Sequence, residues 1–199
     1  MKNKIDLGAT VATYSPCPVA LVGANVEGRP NFLPIGWFAG AGFKPPKVAV
    51  VSSKAHYTNK GIKENKTFSV CIPSEDMVEA TDYCGCVSGS KVDKSTVFEV
   101  FYGNLKTAPM ITDCPVNLEC KLDKVIDISS YTEIFIGDIL STYTEKKYLT
   151  KGIIDLQKTR PFLLSPSPLN PQYHTIGEPR GKAWSVGKNF KNKRKRTTR

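Results

Sequence analysis

The stretch from Pro30 to Pro46, PNFLPIGWFAGAGFKPP, constrains this chain more than any other. It has no charge before Lys44, and it sets Trp37, three phenylalanines and glycines 36, 40 and 42 between two proline boundaries. Glycine at that density excludes a regular helix, since each costs close to ~1 kcal/mol against alanine in a helix interior. The stretch also reads as too irregular for a plain strand, because glycine inside a strand marks a bulge or a close backbone approach. Aromatic rings on a glycine-rich backbone either fill a core or make a wall for something flat. Its own composition fits both, and its neighbours must decide.

The neighbouring segments are short and extended. Residues 18–23 predict a strand, residues 25–28 a hairpin-like turn with Asn25 and Gly28 at its ends, and residues 29–33 the returning strand. Residues 47–52 are a continuous apolar run, the pattern of a strand buried on both faces. Residues 67–72 and 116–127 alternate in polarity, and 131–143 predicts a further long strand with Gly137 at a bulge. Two small helices intervene, at 58–66 with Thr58 or Asn59 as cap, and at 74–83 with Ser74 as cap. Residues 86–96 form a polar loop, and SPSPLNPQ at 165–172 holds too many prolines for a regular element. Strands at this spacing predict a mainly β fold, an antiparallel, Greek-key-like barrel with a few short helices.

A chain of 199 residues fits one domain, here 1–190, followed by a basic tail at 191–199 that is expected to be disordered. The net charge is +10, but the last twelve residues, KNFKNKRKRTTR, carry seven positive charges; removing them leaves +3. The body therefore shows no basic stripe, and nucleic acid is not an expected partner. No apolar run approaches the roughly 18 residues of a membrane span. The first residues lack a signal-peptide core, since Thr13, Ser15, Pro16 and Pro18 interrupt them, so a cytoplasmic protein with reduced thiols is expected. Cys71 and Cys120 read as small core residues. Cys84 and Cys86 lack metal or redox spacing, and His56 and His174 are the only histidines, so no metal centre is expected.

The sequence contains no G-x-S-x-G, HEXXH or Walker A pattern, nor G-x-G-x-x-G after a strand. So few acid–base groups suit a protein that leaves its chemistry to a cofactor. Two segments offer an anion site. Ser52 to Thr58, SSKAHYT, leaves an apolar strand and enters a helix, where hydroxyls and freed N–H groups attract negative charge. Ser88 to Lys94, SGSKVDK, adds hydroxyls and two lysines, a mixture that suits a phosphate monoester of about −1.5 to −2 charge. Both segments also read as ordinary solvated loops.

Taken in order, PVALVGANVEGRPNFLPIGW, FKPPKVAVVSSKAHYTNKGI, SGSKVDK, NLECKL, FIGDI and YHTIGEPRGKAWSVGK resemble the flavin reductase-like family, in its flavoredoxin branch. The resemblance implies a split β-barrel that binds FMN non-covalently and pairs into homodimers. It implies that Asn31, Pro34, Ile35, Gly36 and Trp37 meet the isoalloxazine ring. Ser52, Ser53, Tyr57 and Thr58 would then lie near the ribityl phosphate; relatives often have an arginine at the position of Ser53, so that one phosphate charge partner is either missing here or replaced by Lys54. Ser88, Gly89, Asp93 and Lys94 would form the flavin loop, Lys94 supplying its charge, and Tyr131 would face the ring where a histidine is common. No catalytic side chain is implied, because hydride transfer occurs at flavin N5. The electron donor would be NADH or NADPH, and the acceptor free flavin or a redox partner protein. The other reading is an FMN electron carrier with no nicotinamide activity of its own.

Overall fold

The computed structural model describes residues 16–167, 169–188 and 190, with 5, 6 and 8 ahead of them. The tail at 191–199 and most of the lead-in before Pro16 lie outside the described residues. Strand patterning decides the architecture. Ala20–Val26 (β1) and Arg29–Ile35 (β2) form a hairpin, with Glu27 and Gly28 at φ 53° and 78°. Two left-handed residues in a two-residue loop match the twist of the flanking strands. Phe38–Phe43 (β3), Pro46–Ser53 (β4), Thr58–Asn65 (α1), Thr67–Ile72 (β5), Val78–Cys86 (α2), Val116–Asp127 (β6) and Thr132–Thr144 (β7) follow.

The seven strands form one antiparallel sheet in the order β2-β1-β5-β6-β7-β4-β3. β4 to β7 have the Greek-key order, and β2 and β3, consecutive in the chain, are the two edges. The curled sheet therefore has its seam at the Gly36–Trp37 corner. There Trp37 O accepts from Val51 N at 2.9 Å. The stretch that reads as too irregular for a strand is two strands and a corner. Its glycines confine the irregularity to Gly36 and to a register shift between Gly40 and Gly42.

The barrel core joins Ala20, Val22 and Ala24 of β1 to Val48, Val50, Phe68 and Phe135. A second core, of Leu21, Phe32, Cys71, Cys84, Met110 and Ile111, lies under α2. Burial on both faces thus belongs to β1 and β5, which the chain between β5 and β6 covers from outside. The apolar run in β4 instead alternates: Val48, Val50 and Ser52 are buried, whereas Ala49 and Val51 are half-buried. Neither helix is capped as expected. Thr58 and Asn59 hydrogen-bond elsewhere, and a 3-10 turn at Glu75–Met77 separates Ser74 from α2. The proline-rich segment proves to be the loop of a hairpin, Phe162–Ser165 (β8) with Gln172–Thr175 (β9), and Cys17–Pro18 pairs with β8. The bulge at Gly137 is present as a register shift after Ile136. Among the described residues, no helix is long and apolar enough to cross a membrane.

Candidate functional site

The site lies where the split corner meets the start of α1. After β4 the chain turns through residues 54–57 into the helix. Lys54 N donates to Tyr131 O at 2.9 Å and His56 N to Ser53 O at 3.1 Å, which pins the turn. The N–H groups of Tyr57 and Thr58 have no hydrogen-bond partner among the described residues, as the first turn of a helix leaves them. The floor is Asn31 on β2, whose Nδ2 donates to Thr58 Oγ1 at 2.7 Å. The opposite wall is the end of α2 and the loop after it, Cys84 to Gly89. At Gly89 a Cβ would overlap Asn31 Oδ1 and meet Tyr57 at 3.0 Å, so a bare backbone is what brings this loop onto the floor.

The groove so bounded has about 320 Å³ and is lined by Asn31, Tyr57, Thr58, Ser88, Gly89 and Lys94 with His56. A second groove of about 370 Å³ adjoins it at His56. Pro34, Ile35, Gly36, Trp37, Ser52 and Ser53 line it, with Leu164 and Pro166 closing the far side. Trp37 is 46% exposed and so forms a wall of this groove, not part of the core. The residues singled out in the sequence thus divide between two neighbouring compartments. Tyr131 lines neither: it sits 79% exposed at the tip of the β6–β7 hairpin.

Lys94 is 4% exposed, and its Nζ donates to Cys84 O at 2.6 Å and Phe32 O at 3.2 Å. Burial pulls its pKa below the usual lysine value. The ammonium therefore fastens its loop to α2 and β2 with two of its three protons, instead of standing free as a ligand's counter-charge. Lys54 is likewise engaged, at 2.7 Å from Asp127. Ser53 Oγ accepts from Ala55 N at 3.4 Å. Asp93 caps Ser95 N at 2.8 Å and pairs with Arg29 at 3.4 Å.

His56, to which the sequence assigns no role, joins the two grooves. Its Nδ1 lies 2.9 Å from Ser52 Oγ, which donates to Asn59 Oδ1 at 2.9 Å. Asn59 Nδ2 donates to Ser53 O at 2.8 Å and to Glu133 Oε1 at 2.9 Å, and the buried Glu133 pairs with Lys63 at 2.7 Å. Burial, helped by Lys94, lowers the His56 pKa. The Ser52–His56 pair is not an activated nucleophile, because the serine's proton points to Asn59 and the side chain is buried. A polar strand end facing the first turn of a helix was the signal for this network. The wall contributed by Leu164 and Pro166 had none, since it depends on how β8 docks.

A family model described as a flavin reductase like domain matches residues 13–161, most of the chain. The chain belongs to the flavin reductase-like family. Among solved structures, the family's flavoredoxin of Methanosarcina acetivorans is 44% identical, with a TM-score of 0.86 over 94% of this chain and 98% of that one. The flavoredoxin of Desulfovibrio vulgaris (Miyazaki F) is 33% identical, with a TM-score of 0.82 over 93% and 100%. A Pseudomonas fluorescens 2-nitrobenzoate 2-nitroreductase is 27% identical over 84% of each chain, with a TM-score of 0.73. The split barrel and the flavin reductase-like identity follow from these matches together with the sheet described above.

Proposed function

We propose that this protein is an FMN-binding oxidoreductase that takes electrons from NADH or NADPH and passes them to free flavin or a protein acceptor. One observation carries the reading: two adjoining grooves of different character share His56. Pro34, Trp37, Leu164 and Pro166 give one of them the flat apolar surface an isoalloxazine ring needs. Thr58, Ser88 and the N–H groups of Tyr57 and Thr58, which have no partner among the described residues, give the other the donors a phosphate needs. The close approach of the Gly89 backbone to Asn31 supports the fit, since it narrows that groove around polar groups. Bound flavin supplies hydride and electron transfer. The chain's own residues bind and orient it, and few acid–base groups are needed.

The greater identity to flavoredoxins than to the nitroreductase favours a second reading, an electron carrier that NAD(P)H does not reduce. Purified protein should take up FMN and shift its visible spectrum. Failure to bind FMN would reject both readings. Anaerobic mixing of the FMN-loaded protein with NADH and NADPH then separates them: rapid bleaching supports the reductase, and an unreduced spectrum supports the carrier. Trp37→Ala should weaken FMN binding or alter the flavin spectrum, and an unchanged affinity and spectrum would remove Trp37 from the ring's wall.

A further inference from the structure

The protonation of His56 can be worked out from its neighbours. Asn59 faces a carboxylate, Glu133, and a carbonyl, that of Ser53, and both accept hydrogen bonds. Its amide nitrogen must face them, which turns Oδ1 to Ser52. Ser52 has one proton and gives it to Asn59, so it presents only lone pairs to His56. His56 Nδ1 must then carry a hydrogen, and a neutral imidazole has only one. Nε2 is therefore a bare acceptor, with no hydrogen-bond partner among the described residues, on a ring that lines both grooves. An amide does not relay a proton, so Asn59 closes the chain, and Nε2 exchanges protons with the groove alone.

We propose that neutral His56 is a specificity residue whose Nε2 accepts a hydrogen bond from a hydroxyl of the ribityl chain. This deepens the flavin-binding reading and rests on it. A ligand with its ring in one groove and its phosphate in the other passes its linking chain across the shared residue, and that chain carries hydroxyl donors. A second proton on His56 removes the acceptor. The titratable groups that line the two grooves with His56 are Lys94 from the flavin loop, Cys84 and Cys86 from α2, Tyr57 on the same turn and Cys17 in the other groove. Glu133 of β7 adds a carboxylate, and Asn59 stands between it and the imidazole. Burial and Lys94 oppose that second proton, which keeps the acceptor available at neutral pH.

The test uses the full chain with riboflavin and lumiflavin, which lack the phosphate and its own titration. Wild-type affinity for riboflavin, read by fluorescence quenching, should fall by up to about tenfold as His56 gains its proton, because Nε2 turns from acceptor to donor and the hydroxyl must give up its donor geometry to keep any contact. Lumiflavin, without a ribityl chain, should show no such fall. His56→Gln keeps an acceptor that does not titrate, so it should bind riboflavin at all pH values as wild type does above the transition. His56→Phe should bind it about tenfold more weakly throughout. Equal riboflavin affinity in wild type and His56→Phe above the transition would overturn the proposal, as would pH dependence that survives in His56→Gln. Nitrogen NMR of the flavin-free protein supplies an independent readout. It should report the Nδ1–H tautomer, and the Nε2–H tautomer would overturn the proposal even if flavin binds. Wild-type protein that binds no flavin overturns the binding reading and, with it, the proposal.

Discussion

Lys94 and His56 face the same groove, and burial sets the chemistry of both. A lysine in a loop of serines and glycine reads as a surface cation waiting for an anion. Here the loop folds back, and the ammonium holds two carbonyls from different elements. Lys94→Ala should then cost about 1–3 kcal/mol of stability, because both carbonyls lose a charged donor. It should also weaken FMN binding by loosening the loop. The exposed Lys146→Ala should change stability by no more than about 0.5 kcal/mol. Urea melts and FMN titrations of the two variants check this, and equal behaviour would detach Lys94 from the site. For His56 the sign follows from its lowered pKa. Below about pH 6.5 the unfolded chain binds this proton more readily than the folded one. Its contribution to stability is therefore present above that pH and is lost as the pH falls through the lower folded value. His56→Gln should flatten the urea midpoint in that window. The carboxylates of Glu27 and Asp93, lowered by hydrogen bonds to Lys60 and Ser95, lose their contributions only at more acid pH.

Among the elements, β6 was legible to the residue in its bounds, because its residues alternate in polarity between 116 and 122, but its burial was not: Asn117 and Glu119 are buried as well as Val116 and Cys120, and 123–127 are all exposed. Gly137 was legible as a bulge for a similar reason, and the structure adds why only glycine fits. A Cβ there would run into the ring of Phe68, which is fully buried in the barrel core. Gly137→Ala should destabilise by about 1–3 kcal/mol through overpacking, seen as a lower melting temperature with an unchanged far-ultraviolet spectrum. A neutral substitution would mean that the ring has room to move. The corner at Gly36–Trp37 was not legible in the same way. Nothing local says that one apolar stretch will supply both edges of a single sheet, because that depends on which strands pair between them. The caps of α1 failed for a related reason: Thr58 and Asn59 are good capping residues whose side chains are drawn off by Asn31, Ser52 and Glu133. The residues that break the local rule are those that line or brace the groove.

At the scale of the whole molecule, the apolar run in β4 raises a question of coverage. Val48 and Val50 face the barrel core, and their neighbours Ala49 and Val51 face outward. Val51 pairs with Ile134, which pairs with Ile126; Ala49 pairs with Ala39 on one side and Ile136 on the other. These residues make an apolar outer face across β6, β7, β4 and β3, and Ile126 is 38% exposed on it. α1 packs on β1 and β5, and α2 on β2, so neither covers it. A half-buried apolar sheet face that neither helix covers among the described residues, next to an exposed edge strand, is a candidate docking surface. The proposed partner is a second copy of this chain, as the family resemblance implies. Tyr131 and Trp37, both exposed in the single chain, stand at the end of β7 and β4 where such a copy would approach. The protein should sediment at twice the chain mass. Val51→Asp with Ile134→Asp should give a folded monomer, since both side chains point away from the core. If that double variant keeps the dimeric mass, the interface lies elsewhere; if the wild type is monomeric at micromolar concentration, this face is not a self-association surface.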